Sequence, residues 1–535
     1  MKLGKFAFIF LEIVSANTVH CMVRFPVPTA NHIFSPKPSN CNSDLLSKAR
    51  QCLSFLKLCC SKKHLYQIHA QIQVSGLQND AQILKELVRF CTLSSSKNLT
   101  YARSILCNYV NDSVPIPWNN LIRGYAWSDR PREAVWVFID MKRRGIKPTE
   151  FTYPFVLKAC AEISGLNEGM QVQANVTKSG LDSDVYTNNN LVRFYGSCRR
   201  KRDACKVFDD MCERSVVSWN VIITVCVENL WLGEAVGYFV KMKDSGFEPD
   251  ETTMLVVLSA CTELGNLSLG KWVHLQLIER GTVLNCQLGT ALIDMYAKCG
   301  AVGYARLLFS RMEEINVWTW SAMILGLAQH RYAEEALELF SNMKNSSISP
   351  NYVTFLGVLC ACNHAGMVED GYRYFHEMEH VHGIKPMRIH YHTMADILAR
   401  AGHLKEAYSF IMNMPFQPNP IVLRALLSAS SIHDAKYQDG VGNEVRRRLL
   451  ELEPRGSQNL VIVANKYAEV GMWEKVSNVR RFMKNVGLKK MKGMSWVELG
   501  GSIHRFYSGY DSQVELAGIN QILETLNLHM KVLNF

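Results

Sequence analysis

A chain of 535 residues is too long for one ordinary globular core, so several domains or a repeat array is expected. With 48% hydrophobic and 20% charged residues, its composition is neither that of a disordered chain nor that of a membrane protein. The formal net charge of +11 favours a polyanionic partner without specifying one.

The first apolar stretch, "FAFIFLEIV" (Phe6 to Val14), is too short to span a bilayer and contains Glu12. Residues 13–43 carry no Asp or Glu, several Ser and Thr, and Arg24 and Lys37, which is acid-poor in the manner of an organelle transit peptide. The rival reading is a secretory signal built on Phe6 to Val14, whose apolar core Glu12 interrupts. Residues 1–48 are therefore expected to be a leader and linker. Across the whole chain, 17 cysteines include no C-x-x-C pair. Two short-spaced pairs would suit zinc, and a secreted disulfide scaffold would be much shorter. The thiols read as reduced, buried small hydrophobes in an intracellular protein, with no metal site and no cofactor expected.

From residue 49 the chain repeats itself. "VPIPWNNLI", "SVVSWNVII" and "NVWTWSAMI" begin at Val114, Ser215 and Asn316, 101 residues apart. The same interval links Cys59, Cys160, Cys261 and Cys362; Phe138, Phe239 and Phe340; Met141, Met242 and Met343; and Pro148, Pro249 and Pro350. This long period divides into units of 35, 35 and 31 residues, such as 216–250, 251–285 and 286–316. Within a unit, Ala235, Val236, Phe239 and Met242 mark one apolar helical face, while Gly246 and Pro249 stop the helix. The grammar returns in "RRGIKPT" and, lacking its glycine, in "NSSISPN". Each unit is predicted to be a pair of antiparallel helices. One such hairpin cannot bury its own face, so the expected fold is all-α, a solenoid of stacked helix-turn-helix repeats.

Two basic runs read as solvated surface: "CRRKRDACK" at an interhelical turn, and "VRRRLL" on an exposed helix face. "HEMEHVHGIKP" contains H-E-x-x-H at His376, Glu377 and His380, a spacing that could hold zinc on a helix. Pro386 stands where a third metzincin histidine would fall, Phe375 and Met378 face the core, and Gly383 and Pro386 are the unit's stop signal. The motif is judged coincidental and the protein not an enzyme. Beyond Pro420 the rhythm changes, with an insertion read around Lys436 to Asn443. "GMSWVELGGSIHRFYSG" reads as two strands around Gly500-Gly501. A final amphipathic helix is predicted on Leu516, Ile519, Ile522, Leu523 and Leu526.

Alternating unit lengths, with a polar residue recurring at the start of each first helix, resemble the plant PLS subclass of the pentatricopeptide repeat family over residues 49–490. Units 115–149, 216–250 and 317–351 resemble its P type. Units 150–184 and 251–285, with "FVLKAC" and "VVLSAC", resemble its L type. Units 185–215 and 286–316, the latter with "TALIDMYAKCG", resemble its S type. Residues 49–80 and 81–114 resemble a shortened L and an irregular S unit, and 352–387 and 388–419 the closing pair. Residues 420–456 and 457–490 resemble the two E motifs, with Leu423 where the family favours Trp. Residues 491–535 resemble a partial E-plus segment, with Lys492 in place of the usual Pro.

The resemblance implies a right-handed superhelix, ending in a small β-hairpin and helix, that binds single-stranded organellar RNA one base per repeat. The fifth and last residues of a unit read the base edge, and the second residue sandwiches it. Carried over, Asn220 with Asp250 implies uracil and Asn189 with Ser215 cytosine. Thr290 with Asn316 and Ser321 with Asn351 imply adenine, and Asn119 with Thr149 a pyrimidine. Pro154 and Leu255 cannot read an edge, and His392 with Asn419 is an unusual pair. The expected order is pyrimidine, any, C, U, any, A, A. An Asn or Thr at one helix start is ordinarily a cap; five pairs in register favour base reading.

Full-length DYW members of the family carry a zinc deaminase with H-x-E and C-x-x-C, and neither motif occurs in this chain. The implied role is a site-recognition factor for C-to-U editing that recruits a DYW-type deaminase and other editing-complex proteins in trans. No membrane or small-molecule substrate is implied. The alternatives are a splicing or transcript-stability factor, or a helical scaffold for proteins. The implied address is the mitochondrion, with the chloroplast as the alternative.

Overall fold

The computed structural model describes residues 41–507, apart from positions 60, 79, 94–97, 109–113, 434–439, 470, 489–492 and 500–501. The leader before residue 41 and the predicted final helix lie outside the described residues. Among the described residues there are 26 helices and one two-stranded hairpin. None of these helices is long and apolar enough to cross a membrane. The first helix, Cys41–Leu58, begins inside the stretch read as leader.

The chain forms two compact units, Met1–Glu263 and Leu264–Phe535. In the first, the helices Ala81–Leu93, Pro115–Ala126, Tyr153–Glu162, Val185–Ser197 and Val216–Glu228 each pack on the next. Each also packs against the helix that follows it in sequence, as Pro115–Ala126 does with Pro131–Arg143 and Val216–Glu228 with Leu232–Asp244. The second unit repeats the plan with Cys286–Lys298, Val317–Gln329, Tyr352–Ala365, Arg388–Arg400 and Pro420–His433.

The ladders explain this stacking. Phe138, Phe239, Phe340, Met141, Met242 and Met343 are all buried. Phe340 meets Phe355 of the following helix edge-on at 5.5 Å between ring centroids, so one unit's apolar face is completed by the next. Cys160, Cys261 and Cys362 are buried as well, whereas Cys59 is only half-buried. Burial pushes the Cys160 and Cys362 thiols up to about 12, so they serve as packing and not as nucleophiles.

Helix ends follow the predicted grammar, with one informative difference. Gly246 ends Leu232–Asp244 at φ +77°, a left-handed turn that glycine makes without strain. Ser346 ends Ala333–Asn345 at φ −85° and ψ 169°, so where the glycine is missing the chain leaves the helix extended. At the tighter turn inside the units, Ser164, Arg199, Leu230 and Arg331 hold positive φ without being glycine. After the helical array, Met494–Leu499 and Ser502–Tyr507 pair antiparallel, with Leu499 opposite Ser502.

Candidate nucleic-acid interface

Most units end on the residue that caps the next unit's first helix; Thr149 is an exception, for the helix after it has Thr152 at its cap. Ser215, Asn285, Asn316 and Asn351 accept backbone N–H groups of the first turn they precede. The fifth residue of a unit lies one turn into its own first helix. Because consecutive first helices stack, the fifth and last residues of one unit meet at the seam with the next.

The clearest seam joins Asn220 to Asp250. Asn220 Nδ2 donates to both carboxylate oxygens, at 2.9 and 3.1 Å. A carboxylate only accepts, so Asp250 selects the amide nitrogen and turns Asn220 Oδ1 the other way. There Oδ1 accepts from Thr253 Oγ1 at 2.6 Å. Asp250 Oδ1 also accepts from Thr253 N–H at 2.8 Å, and Asp250 N–H donates back to Thr253 Oγ1 at 3.1 Å. One Nδ2 hydrogen and one Oδ1 lone pair of Asn220 remain uncommitted.

The other seams vary this arrangement. Asn119 Nδ2 donates to Thr149 Oγ1 at 3.1 Å, and Asn119 Oδ1 accepts from Thr152 Oγ1 at 2.7 Å. Thr290 Oγ1 bonds Thr319 Oγ1 at 2.7 Å, and Thr319 Oγ1 donates to Asn316 Oδ1 at 3.1 Å, so a third side chain bridges the predicted pair. Ser321 Oγ lies 3.1 Å from Asn351 Oδ1 and 2.7 Å from Thr354 Oγ1. Asn351 Nδ2 is buried with no partner. Asn189 and Ser215 are not joined by a hydrogen bond. Ser215 Oγ pairs with Ser218, and Asn189 Oδ1 is buried without a partner. His392 stands half-buried, while Asn419 caps its following helix by accepting from Ile421 N–H at 3.0 Å. Pro154 and Leu255 are buried, and the last residues of their units, Asp184 and Asn285, act as caps.

The residue that bridges these seams, the third of the following unit, was missed in the sequence. Its signal was present: Thr152, Thr253 and Thr354 stand 101 residues apart, as do Ser218 and Thr319. All five are buried. Several second residues, by contrast, face outward as large apolar side chains, although Thr252 and Gln287 are polar and Val353 is buried. Ile116, Phe151, Tyr186, Val217 and Ile389 are all exposed, and Trp318 is half-buried beside Tyr352. Small polar groups held at the seams, with apolar or aromatic surfaces between them, suit unstacked bases.

The charged runs contribute less. In the first, Arg200 pairs with Asp203 at 2.6 Å and Lys201 with Glu234. The "VRRRLL" run is not wholly exposed as expected, for Arg446 is buried with its guanidinium over the Tyr467 ring. Apolar packing of the guanidinium stem and face outweighs solvation there. Asn443, read as part of an insertion, lies within the helix Val441–Leu452. In the H-E-x-x-H stretch, Glu377 accepts from Lys344 at 3.2 Å while Phe375 and Met378 are buried.

Residues 116–162, 214–263 and 315–364 match the PPR repeat family, and residues 171–229 match the pentatricopeptide repeat domain. Further PPR repeats match at 290–317, 353–380 and 389–415, and an E motif at 440–498. The pentatricopeptide repeat-containing protein At2g36730 of Arabidopsis thaliana is 58% identical over 485 residues, covering 90% of this chain and 96% of its own. This chain belongs to the pentatricopeptide repeat family. With repeats followed by an E motif, it is of the family's E type. A second Arabidopsis thaliana relative, pentatricopeptide repeat-containing protein At1g59720, chloroplastic/mitochondrial, is 36% identical and covers 95% of this chain and 81% of its own. Among solved structures, PPR10 from maize aligns with a TM-score of 0.54 at 16% identity, over 91% of this chain and 73% of PPR10. PPR10 in complex with an 18-nt psaJ RNA element gives 0.61 at 16% identity, over 89% and 71%. The solenoid fold is shared.

Proposed function

We propose that this chain is a sequence-selective single-stranded RNA-binding adaptor of a plant organelle, a site-recognition factor for C-to-U editing. The observation that carries the reading is the Asn220–Asp250 seam. With its nitrogen held by the carboxylate, Asn220 offers one acceptor and one donor side by side, the complement of uracil N3–H and a flanking carbonyl. Asn189 buries its Oδ1, which leaves Nδ2 as the group to meet the N3 acceptor of cytosine. At the Ser321 seam, Ser321 Oγ and Asn351 Oδ1 lie 3.1 Å apart, and the adenine reading there rests on the family resemblance. The expected preference is pyrimidine, any, C, U, any, A, A.

The E motif supports association with an editing complex, and recruitment of a DYW-type deaminase in trans is proposed. The chloroplastic/mitochondrial relative supports an organellar address, and the mitochondrion is proposed. Selection from randomised RNA should enrich C-U-n-A-A, with affinity falling steeply as salt rises. Binding without enrichment would refute base reading. Comparing organelle C-to-U sites in plants with and without the gene tests the editing role; unchanged editing beside a splicing or transcript-stability defect would replace it.

A further inference from the structure

The third residue of a unit has an ordinary explanation. It sits at N3 of the first helix, where a side chain commonly accepts the cap residue's N–H in a capping box, as Thr253 does from Asp250 and Thr354 from Asn351 at 3.0 Å. That role needs only an acceptor, and Glu or Gln would fill it. At Thr152, Thr187, Ser218, Thr253, Thr319 and Thr354 the residue is a hydroxyl, which keeps a hydrogen after capping. In four seams the hydroxyl reaches the fifth residue of the preceding unit: Thr152 to Asn119 at 2.7 Å, Thr253 to Asn220 at 2.6 Å, Thr319 to Thr290 at 2.7 Å and Thr354 to Ser321 at 2.7 Å. All four threonines are fully buried, so water cannot substitute for them. The fifth seam is the contrast. Ser218 turns to Ser215, and Asn189 Oδ1 is left unpaired.

We propose that this third-position hydroxyl is a specificity-positioning residue: it sets which hydrogen-bonding capacity of the preceding unit's fifth residue, donor or acceptor, is left for the base. The proposal rests on the base-reading function above. For Asn220 the consequence is directional. Thr253 and Asp250 together hold the amide in one of its two flipped orientations. Oδ1 toward the base N3 position selects uracil, whose N3 carries hydrogen, whereas Nδ2 there selects cytosine, whose N3 is an acceptor. Thr253 does not touch the RNA; it acts through Asn220.

The test uses the full chain and four RNAs that differ only at the nucleotide read by Asn220. Wild type should prefer uracil there. Thr253→Ser keeps the hydroxyl and should keep the preference. Thr253→Val keeps the shape, removes the donor, and should cut the uracil-over-cytosine ratio at least fivefold. Preferences at the nucleotides read by Thr290 and Ser321 should not change, a selectivity that general destabilisation would not produce. If Thr253→Val does not fold, Thr152→Val makes the same test at the pyrimidine read by Asn119, whose Oδ1 accepts from Thr152 Oγ1. A valine variant that folds and keeps the full preference overturns the proposal. Wild type with no preference at any nucleotide overturns base reading itself, a failure visible before any variant is made.

Discussion

Asp250→Asn isolates the carboxylate at the same seam. Asp250 is acceptor-only and receives Asn220 Nδ2 as well as Thr253 N–H. An amide in its place can still cap the following helix, since Asn and Asp are nearly equal N-caps, so folding stability should change by only about a few tenths of a kcal/mol. The new amide can, however, turn its own Nδ2 to Asn220. Asn220 then satisfies the network by flipping: its oxygen accepts from the new amide, and its nitrogen donates to the Thr253 hydroxyl oxygen. Both orientations become available, and the flipped one suits cytosine. A paired base-edge contact discriminates by about 1–3 kcal/mol, roughly 5- to 150-fold. Asp250→Asn should therefore bring the uracil-to-cytosine affinity ratio to about one or below, while the affinity of the better RNA stays within about threefold of wild type. Fluorescence anisotropy titrations with the two RNAs read this ratio directly. A variant that keeps its preference for uracil within twofold of wild type would refute the claim that the carboxylate fixes the amide.

Gly357 is a close approach between helices: a Cβ there would lie 3.0 Å from Leu325 N and 3.1 Å from Leu325 Cα, and backbone cannot yield. Gly357→Ala should cost about 1–3 kcal/mol, measured by urea denaturation, with faster hydrogen exchange concentrated in the helices around residues 317–365. Leu230 is exposed and holds φ +61°, a conformation costing a non-glycine residue about 1–2 kcal/mol. After the entropy glycine returns to the unfolded chain, Leu230→Gly should stabilise by about 0.5–1 kcal/mol, and a lower denaturation midpoint would contradict this. Burial lowers the His390 pKa; its Nδ1 accepts from Met387 N–H and its Nε2–H donates to Tyr352 O. His69 and His274 are lowered by burial as well. In each case the unfolded chain binds the proton more readily, so their contribution is intact above about pH 6.5 and is lost as pH falls below it. The thermal midpoint should therefore fall between pH 7.5 and 5.5, and His390→Gln should flatten that dependence.

Much of this was legible because a repeat states each physical constraint several times. The Phe and Met ladders marked the core, and Gly246 and Pro249 marked a helix end, since each residue type has one dominant reason to recur there. Arg446 was misread because a guanidinium in a basic run gives no sign that a Tyr467 ring, 21 residues on, will cover it. Thr253 was missed for a different reason. A threonine at the start of a helix already has an accepted local role, and its second role depends on a residue 33 positions earlier.

That distance changes what a unit is. The last residue of most units is the cap of the next, and the hydroxyl directing the fifth residue belongs to the next unit too. The reading atoms are therefore assembled only when two units stack, and base choice follows from the seam and not from either unit alone. The unit beginning at residue 185 illustrates this, for its third residue is Thr187, while the fifth residue before it is Pro154, which has no polar side-chain group to direct. Thr187 Oγ1 is then buried without a partner. Hydroxyl and polar fifth residue meet at the seams of Asn119, Asn220, Thr290 and Ser321, and it is there that the hydroxyl can aim a reading atom.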